Sequence, residues 1–152
     1  MPSTLIKATF PLGERRTNGK WLPYSGSWYR NAQFFESNKV KKHYTEKLAQ
    51  PQLLSHSPIS GVVFSLYVLY RPNRRRMDLD NNTSVHKKFF HDALSKYEII
   101  KDDTVEDIPI QLSVYGGIDK EHPRVDVYVD TDLEKLIELM RTNVWTPSMT
   151  TD

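Results

Sequence analysis

Three arginines stand directly before two aspartates in the run Arg74, Arg75, Arg76, Met77, Asp78, Leu79, Asp80, Asn81. On an extended segment, carboxylates at i and i+2 lie on the same side, close enough to share a hard divalent cation, whose preferred ligands are oxygens. Without a cation they repel each other. The guanidinium groups upstream carry permanent charge and form paired hydrogen bonds to phosphate oxygens. The run reads as a metal site built beside a phosphate grip. Each half also has a plainer reading. An Asp-Leu-Asp-Asn run is as often a turn or a helix cap, and an isolated arginine run is more often a solvated loop. A calcium loop of the EF-hand type is excluded, because Thr83 stands where the loop glycine belongs and Phe89 where the last bidentate glutamate belongs.

The elements that must hold this run are readable on both sides of it. Residues 62–70 are β-branched and aromatic, the pattern of a strand buried in the centre of a sheet, and they deliver the chain to the arginines. Downstream, Val85, Phe89, Phe90, Ala93, Leu94 and Tyr97 mark one face of a helix, with Asn81, Asn82, Thr83 and Ser84 as caps at its start. The acidic pair is thereby placed at a strand-to-helix junction. Residues 4–10 alternate as a strand that Pro11, Leu12 and Gly13 end before a polar loop with Arg15, Arg16, Asn18 and Gly19. Residues 32–49 form a half-exposed helix with Pro51 as its stop. Residues 110–115 and 124–129 are strands, joined through Gly116, Gly117 and Pro123 in a long hairpin. Thr131 and Glu134 have capping-box spacing ahead of a last helix carrying Leu133, Leu136, Ile137 and Met140. The expected architecture is α+β, a single domain over residues 1–145 with a small mixed or antiparallel sheet of about four strands and about three helices. A tail at 146–152, rich in Thr, Ser and Pro, is expected to be mobile.

With 152 residues, 38% of them hydrophobic and 26% charged, the chain has the composition of a soluble globular domain. It has no apolar run near the roughly 20 residues a membrane-spanning helix needs, and its start lacks the pattern of a secretion signal. Cysteine is absent, so a metal must be held by oxygen or imidazole. His43, His56, His86, His91 and His122 lack zinc-ligand spacing. The formal charge of +2 permits a nucleic-acid partner without demanding one. Trp21, Tyr24, Trp28 and Tyr29 lie among Arg15, Arg16, Lys20 and Arg30, a mixture that suits a DNA-facing loop, a dimer contact or a local satellite core.

The middle third of the chain resembles the RusA-type Holliday junction resolvases, small endodeoxyribonucleases of bacteria and their phages that cut four-way DNA. The likeness rests on Arg74 through Asn81, then Asp92, Ala93, Leu94, then Asp102, Asp103, Thr104, Val105, in that order. Pro23, Tyr24, Ser25 and Tyr29 loosely resemble the family's proline-rich, aromatic N-terminal segment. The resemblance implies catalytic, metal-holding aspartates at Asp78, Asp80 and Asp103, with Mg²⁺ as cofactor and Mn²⁺ as a substitute. It also implies branched DNA as partner, a homodimer whose twofold axis matches paired cuts, and a cytoplasmic setting in a bacterial or phage-infected cell. A family lysine follows the second aspartate by one helical turn, but that register here holds Ser84. Counting back from Asp92 places the lysine at Lys88, with Lys87 as its rival, and means that four residues are inserted. Such an insertion advances a helix by about 6 Å and rotates it by about 40°.

Phosphodiester hydrolysis needs an activated water, neutralised phosphoryl oxygens and a stabilised leaving alkoxide, all of which Mg²⁺ held by carboxylates can supply. Asp78, Asp80 and Asp103 are the expected ligands and Lys88 the expected partner of the scissile phosphate. Arg71, Arg74, Arg75, Arg76 and Lys87 are the expected DNA grip. Two alternatives come from other classes. One is a non-catalytic module that binds branched DNA through the same cations. The other is an oxygen-ligated metal protein acting on a small phosphorylated substrate, disfavoured because no glycine-rich phosphate loop is present.

Overall fold

The computed structural model describes residues 5–102 and 104–148. Its main sheet has four strands in the order β1-β6-β4-β5: β1 Ile6–Pro11, β6 Arg124–Asp130, β4 Phe64–Arg71 and β5 Ile110–Ile118. β6 is antiparallel to both its neighbours, whereas β4 and β5 run parallel. A parallel pair needs a crossover. That crossover is α4, Ser84–Lys96, which packs on one face of the sheet, while α5, Leu133–Asn143, packs on the other. The expected α+β architecture with a mixed four-stranded sheet is the one observed. No helix among the described residues is long and apolar enough to cross a membrane.

β4 is central, and its alternate residues feed two cores. Tyr67 and Leu69 join Phe10, Phe89, Phe90 and Leu94 under α4, whereas Leu66 and Val68 join Leu136 under α5. Burial on both faces explains its continuous run of large apolar side chains. β1 is an edge, and there the Gln52 amide accepts from Thr9 N–H at 2.8 Å and donates to Thr9 C=O at 2.9 Å. One side chain thus occupies the position where another strand would pair.

Several expectations are corrected. β5 and β6 do not form a hairpin, because β4 lies between them and pairs with both. The polar stretch after β1 contains a small two-stranded sheet, β2 Gly13–Arg15 and β3 Trp21–Pro23, turned at Gly19, whose φ of 84° suits a residue without a Cβ. Pro51 does not stop the helix before it. α2, Phe34–His43, runs through a wider π-helical turn at Tyr44–Ala49 into α3, Gln50–Leu53. Pro51 falls in the first turn of α3, where an N–H is dispensable, and the Thr45 hydroxyl donates to Lys41 C=O, in the last turn of α2, at 3.0 Å. α5 is capped by Asp132, which accepts from Lys135 N–H, rather than by Thr131. Of the expected tail, residues 149–152 lie outside the described residues, as does Thr4, the expected start of the first strand.

Candidate functional site

The acidic run leaves β4 at Arg71 and doubles back over the α4 face of the sheet. Met77 and Leu79 are the half-buried members of the run and line a cavity of about 220 Å³ with Leu69, Arg71 and Tyr115. Their inward placement turns Asp78 and Asp80 outward, and both are exposed. The pair is not on a fully extended segment, however. From Leu79 onward the chain winds into turns in which Asp78 C=O accepts from Asn82 N–H at 3.2 Å and Asp80 C=O from Ser84 N–H at 3.0 Å. Asp78 Oδ1 accepts from Asn81 N–H at 2.9 Å, so one of its oxygens caps the turn.

The expected capping residues have other partners. The buried Thr83 hydroxyl donates to Leu79 C=O at 2.9 Å and lies 3.1 Å from Ser113 Oγ on β5. Asn81 reaches a segment far away in sequence: its side-chain oxygen accepts from Ser27 N–H at 2.8 Å and from Ser27 Oγ at 3.0 Å, and its carbonyl accepts from Gly26 N–H at 2.8 Å. α1, Gly26–Asn31, is therefore clamped to the residue following Asp80. A Cβ at Gly26 would lie 3.0 Å from Ser84 Oγ and 3.2 Å from Asn81 Oδ1, so a small residue keeps this approach close. Sequence reasoning missed the clamp, since nothing in the spacing of Asn81 announces it.

The two candidate lysines diverge. Lys87 is half-buried with Nζ 6.0 Å from the Tyr67 ring centroid. Burial lowers its pKa, and the Asp80 carboxylate pulls the other way. Lys88 is exposed and lies over Tyr29, 5.6 Å from the ring centroid. Because the turns run into α4, Asp80 and Lys87 are seven residues apart on a nearly continuous helical path. Such a spacing returns to within about 20° of the same face, whereas the next position is about 80° away. Lys87 is in the field of Asp80.

Arg71 is drawn into the structure: its Nε donates to Tyr115 Oη at 2.8 Å and its Nη1 to Arg75 C=O at 3.2 Å, shaping the loop that presents the others. Arg74, Arg75 and Arg76 are exposed. Asp92 belongs to a different surface, 2.5 Å from Lys41 Nζ.

Asp103 lies outside the described residues. Its neighbours Asp102 and Thr104 are exposed in the loop that leads into β5. β4 and β5 being parallel, that loop enters at the end of the strand pair opposite to the one from which the acidic run leaves. The run folds back far enough for Thr83 to touch Ser113, three residues beyond the start of β5, or about 10 Å along the strand. Among the described residues no group of three or more His, Cys, Asp or Glu side chains is gathered to hold a metal. Asp78 and Asp80 are exposed oxygen donors of the kind a hard cation takes, with one Asp78 oxygen already used as a cap.

Two of the histidines have a structural role. His86 Nδ1 is 2.8 Å from Tyr44 Oη, in a nest of Phe10, Tyr24 and Tyr44 rings, and burial lowers its pKa to about 3. His91 Nε2 is 2.9 Å from Tyr67 Oη and 3.2 Å from Ser65 Oγ, and burial, aided by Lys87, lowers its pKa to about 4. No protein-family model matches the chain, and no curated protein matches it.

Proposed function

We propose that this protein is a Mg²⁺-dependent, structure-selective endodeoxyribonuclease that resolves four-way and other branched DNA in recombination and repair. The observation that carries the reading is the pairing of two outward-facing carboxylates, Asp78 and Asp80, with three exposed arginines upstream and Lys87 held beside Asp80. Mg²⁺, or Mn²⁺ in its place, would supply the Lewis acid and the activated water when bound. Asp78 and Asp80 would hold the cation, with Asp103 as third donor. Arg74, Arg75 and Arg76 take the phosphates on either side of the scissile one by charge and paired hydrogen bonds. Lys87, steadied over Tyr67, keeps its ammonium aimed at charge gathering on the phosphoryl oxygens. The products are a 5′-phosphate and a 3′-hydroxyl. A homodimer in the cytoplasm of a bacterial or phage-infected cell completes the proposal, since two identical sites about a twofold axis match the two strands to be cut.

The test compares the parent with Asp80→Asn on synthetic four-way junctions and linear duplex, in Mg²⁺ or in EDTA. Symmetric nicking by the parent in Mg²⁺ only, with tight but unproductive binding by the variant, is the expected result. Junction binding by both without cleavage by either in Mg²⁺ would replace the nuclease by a binding module, and indifference to branched DNA would end the reading.

A further inference from the structure

The surface beside α1 carries aromatic side chains that the fold does not use. Trp21 is 50% exposed, and Phe34 and Phe35 are 73% and 80% exposed. Rings of this size are usually buried. Trp21, Trp28 and Phe35 line a cleft of about 610 Å³ between the β2–β3 hairpin and the start of α2, with Arg16, Lys20 and Lys39 at its rim. Trp21 is held as a platform. The Arg15 guanidinium lies 5.5 Å from the Trp21 ring centroid, and a Cβ at Gly13 would come within 2.9 Å of two indole atoms. Any larger residue at Gly13 would push the ring away. Trp28 sits on α1, directly after the residues bonded to Asn81, so the cleft is tied to the acidic pair by one short helix.

We infer that this cleft is a stacking site for an unpaired nucleobase of the DNA whose backbone passes the acidic pair. The inference rests on the nuclease reading for its choice of polymer and adds the part of the substrate that is recognised. An aromatic face can stack only on a base that has left its duplex partner, and every base offers such a face, so the site is tolerant of sequence. Phosphates flanking that base meet Lys20 and Lys39, while Arg16 is shared with Glu36 in an ion pair. Cations interleaved with rings suit a polyanion carrying flat apolar bases better than they suit a purely apolar partner. Branch points interrupt the continuous base stack, so a base leaves its partner there at less cost than within an unbroken duplex, and the cleft turns general DNA affinity into preference for branched substrates.

The experiment uses the full chain in EDTA, with fluorescence anisotropy on a labelled oligo-dT of about 20 nucleotides and on a duplex of equal length. Trp21→Ala and Phe35→Ala are each expected to weaken single-strand binding roughly tenfold and to leave duplex binding within about twofold, the size of one base–ring stack. Trp21→Phe keeps a ring and restores most of the single-strand affinity, which separates stacking from damage to the hairpin. Unchanged single-strand binding in both alanine variants would overturn the inference, as would equal losses on both probes or failure of the parent to bind the single strand. Because no cleavage is read, a parent that binds but never cuts junctions sinks the nuclease reading alone, whereas a parent that cuts but shows no aromatic dependence sinks this inference alone.

Discussion

Acid should unfold this protein earlier than its carboxylates alone would dictate, through His86 and His91. Both are buried and neutral, with pKa values lowered by burial from 6.5 to about 3 and about 4. In the unfolded chain each takes up a proton as pH falls through 6.5, while in the folded chain neither does until far lower. The unfolded state therefore binds more protons, and stability that is complete above pH 6.5 is lost as pH falls toward the folded values. One proton is worth about 1.4 kcal/mol per pH unit, so two histidines together remove roughly 5 kcal/mol between pH 7 and pH 4.5. That is a large part of the 5–15 kcal/mol typical of a domain. Asp119 does not blur the window. The His122 N–H, and after it Arg124, hold its carboxyl below its ordinary value, and its effect begins only below that range. Urea unfolding at several pH values from about 7.5 to 4.5 measures the slope. The double variant His86→Phe with Tyr44→Phe removes the histidine and the hydroxyl it would orphan, so the buried pair is replaced by apolar rings. Its slope should fall to about half that of the parent. A parent whose stability is flat between pH 7 and 5, or a double variant with the parent's slope, would refute the reasoning.

Lys87→Ala should lower junction cleavage about a hundredfold or more, while Lys88→Ala stays within about threefold, as single-turnover rates in Mg²⁺ would show. Asn81→Ala removes the two Ser27 bonds and should cost about 1–2 kcal/mol in urea unfolding, with a fall in cleavage as α1 loosens from the acidic loop. A thermal midpoint and cleavage rate equal to the parent's would deny the clamp. Arg75→Ala should reduce the slope of log affinity against log salt by about one for every DNA tested, since a phosphate contact carries no sequence information. A loss confined to particular sequences would mean that Arg75 reads bases.

What the sequence disclosed and what it concealed divide along one physical line. β4 and the buried face of α4 were legible because burial imposes a period or a continuous run on the residues themselves, as Leu66 to Leu69 and Val85 to Leu94 show. The partner of a strand leaves no such trace. Residues 110–115 and 124–129 alternate well enough to be strands, yet nothing in their alternation says that β4 intervenes. β2 and β3 are three residues each, too short to display a period. At the site, the outward parity of Asp78 and Asp80 follows from their apolar neighbours Met77 and Leu79. The Asn81 clamp joins residues 54 positions apart, and only the tertiary fold could reveal it.

The same distinction bears on the two adjacent lysines, Lys88 expected from a count back from Asp92 and Lys87 its rival. A count back from Asp92 assumes that α4 begins as a fresh helix, unrelated to the turn carrying Asp80. The turn between Asp80 and Ser84 removes that independence. Ser84 N–H bonds to Asp80 C=O and Lys87 N–H to Thr83 C=O, so helical winding is already under way at the second aspartate. Thr83 fixes its rotation by touching Ser113, and Asn81 fixes its position by holding Gly26 and Ser27. With winding and rotation both set, the side chain about two turns after Asp80 faces the sheet over Tyr67, and that side chain is Lys87. Lys88 is turned toward α1, where Tyr29 supports it. The turn from Asp80 to Ser84 thus leads directly into α4, and it sets Lys87 in the field of the second aspartate.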